Sequence, residues 1–174
     1  MSSRDRDVVR ELAREYLESC NRPEQVRCRD LWRRHNSRER TRPLVYTRAF
    51  AWGELPQSTC LCEDPFLRSY ETQLRQKLYW ASCEDDSVFE PWVVLGASRP
   101  TPPGGVWGLP IRWKSSDDPR GAKQMDPAIK APEDAERMVA TVHAVDDGAT
   151  QESLSRLQDA LGDIITVCVD RGPR

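Results

Sequence analysis

Apolar positions recur at helical spacing in three stretches of this 174-residue chain. From Arg4 to Asn21, Val8, Leu12, Tyr16 and Cys20 stand four apart with Val9, Ala13 and Leu17 beside them, and the pattern stops ahead of Pro23. That predicts an amphipathic helix. In "EDPFLRSYETQLRQKLYW", residues 63–80, Asp64 suits a cap and Pro65 the first helical position, where a missing N–H costs nothing. Phe66, Tyr70, Leu74 and Leu78 then form one stripe flanked by Leu67 and Lys77, so this helix must cover a sheet or another helix. The third stretch, "ATQESLSRLQDALGD", runs through Leu154, Leu157 and Leu161 and is expected to close at a left-handed Gly162. A more polar helix beginning near Pro23 carries Val26, Leu31 and Trp32 into the arginine-dense "RRHNSRERTR", and "APEDAERM" at 131–138 predicts a short helix with acids at its amino end.

Three runs read as strands. "PLVYTRAFAW" at 43–52 is rich in β-branched and aromatic residues, with Pro43 at a strand's first position. "SVFEPWVVL" at 87–95 follows, with Pro91 implying an irregularity or an edge, and "IITVCV" at 164–169 is the third. Helix, glycine, then apolar strand is the order of an α/β protein with parallel pairing. Residues 1–42 therefore read as amino-terminal helices and 43–174 as β/α units of one domain, interrupted by an irregular loop at 96–130. So long a loop is expected to be functional or disordered; "VWGLPIRW" within it suits a short strand, and Trp92, Trp107 and Trp113 argue against disorder.

Composition narrows the function classes. A net charge of −2, from 28 acidic and 26 basic residues, gives no bulk electrostatic case for nucleic acid or an anionic membrane surface. No apolar run approaches a membrane span and the start has no apolar stretch of the secretory kind, so a cytoplasmic protein is expected. Six scattered cysteines then read as free thiols.

Candidate chemistry is sparse. With only His35 and His143, histidine metal sites and most triads lack material. The "CLC" at 60–62 offers two thiolates where structural zinc needs four ligands, and "GGVWG" at 104–108 lacks both phosphate-loop spacings and reads as a turn. Seven arginines between 27 and 42 could grip phosphates or carboxylates, or form a solvated helix end and linker. In a parallel sheet, ligands collect beyond the carboxyl ends of strands, which points to Arg48, Trp52 and Glu54 after the first run, Glu90 in the second, and Asp170 and Arg171 after the third.

"LWRRHNSRERTRPLVYTRAFAW", "CEDPFLRSYETQLRQKLYW", "FEPWVVL" and "ATQESLSRLQDALGDIITVCVDRG" resemble, in order, the amino-terminal part of the uroporphyrinogen decarboxylase and corrinoid (coenzyme M) methyltransferase superfamily. The resemblance spans about residues 7 to 172 and covers less than half of a family member. It implies an α/β fold: the amino-terminal portion of a TIM (β/α)8 barrel, incomplete because a closed barrel takes about 250 residues. "TRAFAWGELP" is similar to the arginine-bearing loop that holds substrate carboxylates, through Arg48 and Leu55-Pro56. A piece of this kind is expected to lack activity alone and to need the rest of the barrel or a second copy. The resemblance implies no cofactor in this chain; zinc, or a corrinoid protein as partner, would belong to a full-length relative. The alternative is a non-enzymatic α/β binding or assembly module working through the arginine-rich segment 27–42.

Overall fold

The computed structural model describes residues 2–101, 105, 107–118, 121–140 and 144–172. In chain order the elements are α1 (Ser3–Cys20), α2 (Pro23–Asn36), α3 (Pro65–Ala81), β1 (Trp92–Gly96), β2 (Arg112–Lys114), β3 (Gln124–Asp126), α4 (Asp147–Leu161) and β4 (Thr166–Asp170). Single 3-10 turns at Trp52–Glu54 and Pro56–Ser58, and a longer one at Pro132–Arg137, lie between them. With 47% of these residues helical and 10% in strands, the fold is of mixed helix and strand, compatible with the α/β class. Among the described residues no helix is long and apolar enough to cross a membrane.

The chain divides into two compact units. The first comprises 1–95 and 152–170. Its core is built by the stripes predicted above: Val9, Leu12, Ala13 and Tyr16 of α1 share one apolar cluster with Leu67, Tyr70 and Leu74 of α3, Val93 and Leu95 of β1, and Leu157, Ala160 and Leu161 of α4. What α3 covers is therefore chiefly α1, the two helices forming the closest pairing in the unit. Each such leucine contributes roughly 1.5–3 kcal/mol by leaving water. The capping is as the residue types require: Ser2 accepts from the Asp5 N–H at 3.1 Å, and Asp64 from those of Phe66 and Leu67 at 2.9 and 3.2 Å. The β1 and β4 strands pair as a two-stranded sheet.

Two carboxylates inside this unit hold loops rather than ligands. Glu71 is wholly buried and accepts from the backbone N–H groups of Leu61 and Cys62, at 2.8 Å each, and from Arg75 Nε at 2.9 Å. Burial alone would raise its pKa, but the Cys62 and Leu61 amides outweigh it and the group is held below the ordinary carboxylate range. Asp5 accepts from the Asp64 N–H at 2.9 Å. The "CLC" loop is thus a strap on α3: Cys62 is buried with its thiol pushed up to about 12 by desolvation, and all six cysteines are free.

The second unit comprises 96–151 and 171–174. In it β2 and β3 pair antiparallel, Arg112 opposite Asp126, Trp113 opposite Met125 and Lys114 opposite Gln124. The short strand expected in "VWGLPIRW" is β2. The glycine-rich turn is closed by Gly108 N–H donating to the Gly105 carbonyl at 3.1 Å. Gly105 has φ +102°, and a Cβ there would lie 2.2 Å from the Leu109 carbonyl oxygen, so only glycine fits.

Three expectations are corrected. Residues 43–49 form no strand, and Trp52–Glu54 is a 3-10 turn; Val45 and Tyr46 are 60% and 57% exposed, and the run joins neither two-stranded sheet. Gly162 does not adopt a left-handed φ; α4 ends instead through Gly162 N–H donating to Gln158 O at 2.8 Å, and a Cβ there would meet that oxygen at 2.7 Å. The α4 helix begins at Asp147, ahead of the apolar stripe, because the Asp146 carboxylate accepts the Ala149 N–H at 2.9 Å and tolerates Gly148 in the first turn. His143, the second of the two histidines, lies outside the described residues.

Candidate functional site

The arginine-rich helix α2 is read in register by the segment that precedes β1. Gln25 donates to the Ser87 carbonyl at 3.2 Å and accepts from the Phe89 N–H at 2.7 Å, in place of a strand neighbour. One turn on, Arg29 donates to the Phe89 carbonyl at 2.7 Å and pairs with Glu90 at 3.3 Å. Trp32 donates from its indole N–H to the Asp86 carbonyl at 2.6 Å. Arg29, Trp32, Arg33 and Asn36, at spacings of three and four, therefore present one face of α2 to a common space.

The opposite wall is the extended segment 42–48, held by two consecutive carboxylates instead of a strand ladder. Asp86 takes both Arg42 nitrogens at 2.5 and 2.7 Å and the Val45 N–H at 3.0 Å, and its own N–H donates to the Val45 carbonyl at 2.9 Å. Asp85 accepts from the Thr47 N–H. The Arg42 guanidinium, with the Val45 amide, drags the Asp86 carboxyl down to about 2. This is the physical reason that the β-rich run does not join a sheet here: the Val45 and Thr47 N–H groups go to carboxylates, and a single backbone bond, Asp86 N–H to the Val45 carbonyl, stands in for a ladder.

Arg48 stands at the end of that segment. Its guanidinium lies over the rings of Trp80 and Tyr46, at 4.5 and 4.8 Å from their centroids. Its Nη1 donates to Ser87 Oγ at 2.9 Å and to the Thr47 carbonyl at 2.7 Å. Among the described residues no carboxylate oxygen forms a direct ion pair with it, although it stands near enough to Asp85 to help lower that carboxyl's pKa, and its Nε and Nη2 have no hydrogen-bond acceptor. Arg48, Glu90, Arg29, Arg33, Trp32 and Tyr46 line a cleft of about 480 Å³, with Asn36 and Ser87 completing its polar wall. Three guanidiniums and one carboxylate give that lining a formal charge of +2. The Trp32 and Tyr46 rings meet at 49° with centroids 6.4 Å apart, forming an aromatic corner.

A larger hollow, of about 970 Å³, lies on the other side of α2. Arg22, Arg27, Arg34 and Arg42 line it against Glu24, Asp30, Glu84, Asp85 and Asp86, and Arg34 and Arg42 are spent on Glu39 and Asp86. Its lining carries no excess of positive charge, so the smaller cleft is the better anion site.

Of the six residues that strand-end logic singles out, the structure brings Arg48 and Glu90 together and separates the rest. Trp52 packs edge-on against Tyr79 at 5.8 Å, away from the cleft, and its buried indole N–H has no partner among the described residues. Glu54 is exposed on the same 3-10 turn. Asp170 is exposed at the end of β4, and Arg171, in the second unit, pairs with Asp147 at 2.8 Å. Strand-end reasoning missed Arg29, Trp32, Arg33 and Tyr46; the signal available was their helical spacing around Trp32. Among the described residues no group of three or more His, Cys, Asp or Glu is arranged to hold a metal ion. Compared with protein-family models, with curated proteins and with solved structures, the chain matches none.

Proposed function

We infer that the first unit is a binding module whose cleft captures an anionic small molecule through Arg48. The observation that carries this is the state of that side chain: stacked on two rings, anchored by one nitrogen, in direct ion pair with no described carboxylate, and facing an arginine-lined cleft with its Nε and Nη2 open. A guanidinium held in place before the ligand arrives loses less side-chain entropy on binding, and its planar fork matches a carboxylate or phosphate. Arg29 and Arg33, already paired with Glu90 and Asp30, add field at the rim. This reading merges the arginine-rich-segment alternative with the expectation that Arg48 meets an anion.

Calorimetric titration of the full chain with citrate and with inorganic phosphate tests it. One or both should bind with a single site, and Arg48→Gln should weaken binding at least tenfold without altering the thermal midpoint by more than about 3 °C. Anion binding that R48Q leaves unchanged refutes the site.

The narrower expectation, an amino-terminal portion of a decarboxylase- or methyltransferase-like barrel, rests on the sequence resemblance. In its support, β1 and β4 adjoin and α4 immediately precedes β4, with the β2–β3 hairpin lying between β1 and α4 in the chain. Its test is turnover by the chain extended downstream against the 174-residue chain; full activity in the short form contradicts it.

A further inference from the structure

Resting on the anion-binding reading, the geometry points to a more specific ligand: a nucleoside monophosphate, its phosphate on Arg48 and its base in the aromatic corner of Trp32 and Tyr46. Three features of the cleft select this class together. The first is the anion fork: with Arg29 and Arg33 bridged to Glu90 and Asp30, the open Nε and Nη2 of Arg48 face the cleft, and a phosphate monoester, which carries about −1.5 to −2 at pH 7 and three acceptor oxygens, can engage that fork and still reach the rim guanidiniums.

The second is the aromatic wall. Trp32 is fixed in place by its bond to the Asp86 carbonyl and by the edge of His35 at 5.8 Å, while Tyr46 keeps 57% of its surface exposed. Inorganic anions have no use for such a corner, whereas a base has a π-face to lay on it.

The third is the polar set around that corner. Asn36 offers both an amide donor and an acceptor, and the Glu90 carboxylate, though bridged to Arg29 at 3.3 Å, retains lone pairs able to accept from an exocyclic amine. Donor and acceptor side by side suit the edge of a heterocycle and are wasted on a plain arene. The cleft, of about 480 Å³, is shallow and open to solvent, so a flat base would lie on its aromatic wall rather than be engulfed.

The test is calorimetry on the full chain with AMP, ribose 5-phosphate, inorganic phosphate and citrate as probes. Ribose 5-phosphate carries the same phosphate monoester without the base, so the AMP-to-ribose 5-phosphate affinity ratio isolates stacking. That ratio should be at least roughly tenfold for the parent chain. Tyr46→Ala removes both the stacking ring and one of the two rings under Arg48; the second loss falls equally on AMP and ribose 5-phosphate and cancels in their ratio, which should drop close to one, whereas Arg48→Gln should weaken both sugar phosphates. AMP binding no tighter than ribose 5-phosphate, or a ratio that Y46A leaves intact, overturns the nucleotide assignment while the anion site survives. Failure of all four probes to bind overturns both.

Discussion

Replacing Asp86 by asparagine removes one charge from the clamp that holds the Arg48 segment and leaves its shape nearly unchanged. In the folded protein the Arg42 guanidinium takes both carboxylate oxygens, the Val45 amide donates to one of them, and burial opposes the charge; the result is a pKa of about 2 against the ordinary 3.8. At ~1.4 kcal/mol per pH unit, that difference corresponds to about 2 kcal/mol of native stability. The Asp86 side chain is only 10% exposed, but Arg42 is 58% exposed, so solvent screening makes the figure an upper one. The sign follows from a depressed carboxylate: the contribution is complete above pH 3.8 and is lost as pH falls through 2. Urea unfolding should therefore show Asp86→Asn less stable than the parent by ~1–2 kcal/mol at pH 7. The gap should narrow steadily between pH 4 and pH 2 as the parent's own carboxylate protonates. A variant within about 0.5 kcal/mol of the parent at pH 7, or a gap that stays constant down to pH 2, would refute the clamp.

Two further substitutions probe the scaffold. Glu71→Gln keeps one oxygen that can still take the Leu61 and Cys62 N–H groups from the Oε2 position, but it sets an amide donor against Arg75 and removes its charge partner in a wholly buried site, and should cost about 1–3 kcal/mol, read as a lowered thermal midpoint; a shift of under about 2 °C would mean that the "CLC" strap does not depend on that charge. Arg38 occupies the left-handed region at φ +61° after α2, where the Glu39 N–H bonds Arg34 O and the Arg38 N–H bonds His35 O, both at 3.0 Å. Arg38→Gly should gain up to about 1 kcal/mol in urea unfolding, and a loss of stability would contradict the strain argument.

The legibility of the chain follows the range of the forces that shape each part. The α1 and α3 helices were readable because everything that makes them is local: an i, i+4 apolar stripe, Ser2 or Asp64 to take the first amides, Pro65 where an N–H is not needed. The run 43–52 misled because β-branched and aromatic residues declare an extended backbone but not a hydrogen-bonding neighbour, and the neighbours here are Asp85 and Asp86, some forty residues onward. Gly162 misled because a glycine after a helix satisfies the left-handed cap without being obliged to adopt it. The site was half visible. Arg48 was singled out by a strand-end argument and Glu90 as an acid inside an apolar run, whereas Trp32 read as an apolar helix position and Arg29 and Arg33 as part of a segment that could either grip anions or be a solvated helix end; only their packing against residues 86–90 sets them round one cleft.

The amino-acid order by itself thus determined which segments coil, where α1 and α3 start, and which side of each turns inward, since those outcomes depend on contacts within a turn or two of helix. Only the tertiary structure decided that one face of an arginine-rich helix and a strandless stretch of chain enclose a common cleft. That outcome depends on bonds that the Gln25, Arg29 and Trp32 side chains donate to distant backbone carbonyls and that the Asp86 carboxylate accepts from the Val45 N–H, and no local pattern encodes them.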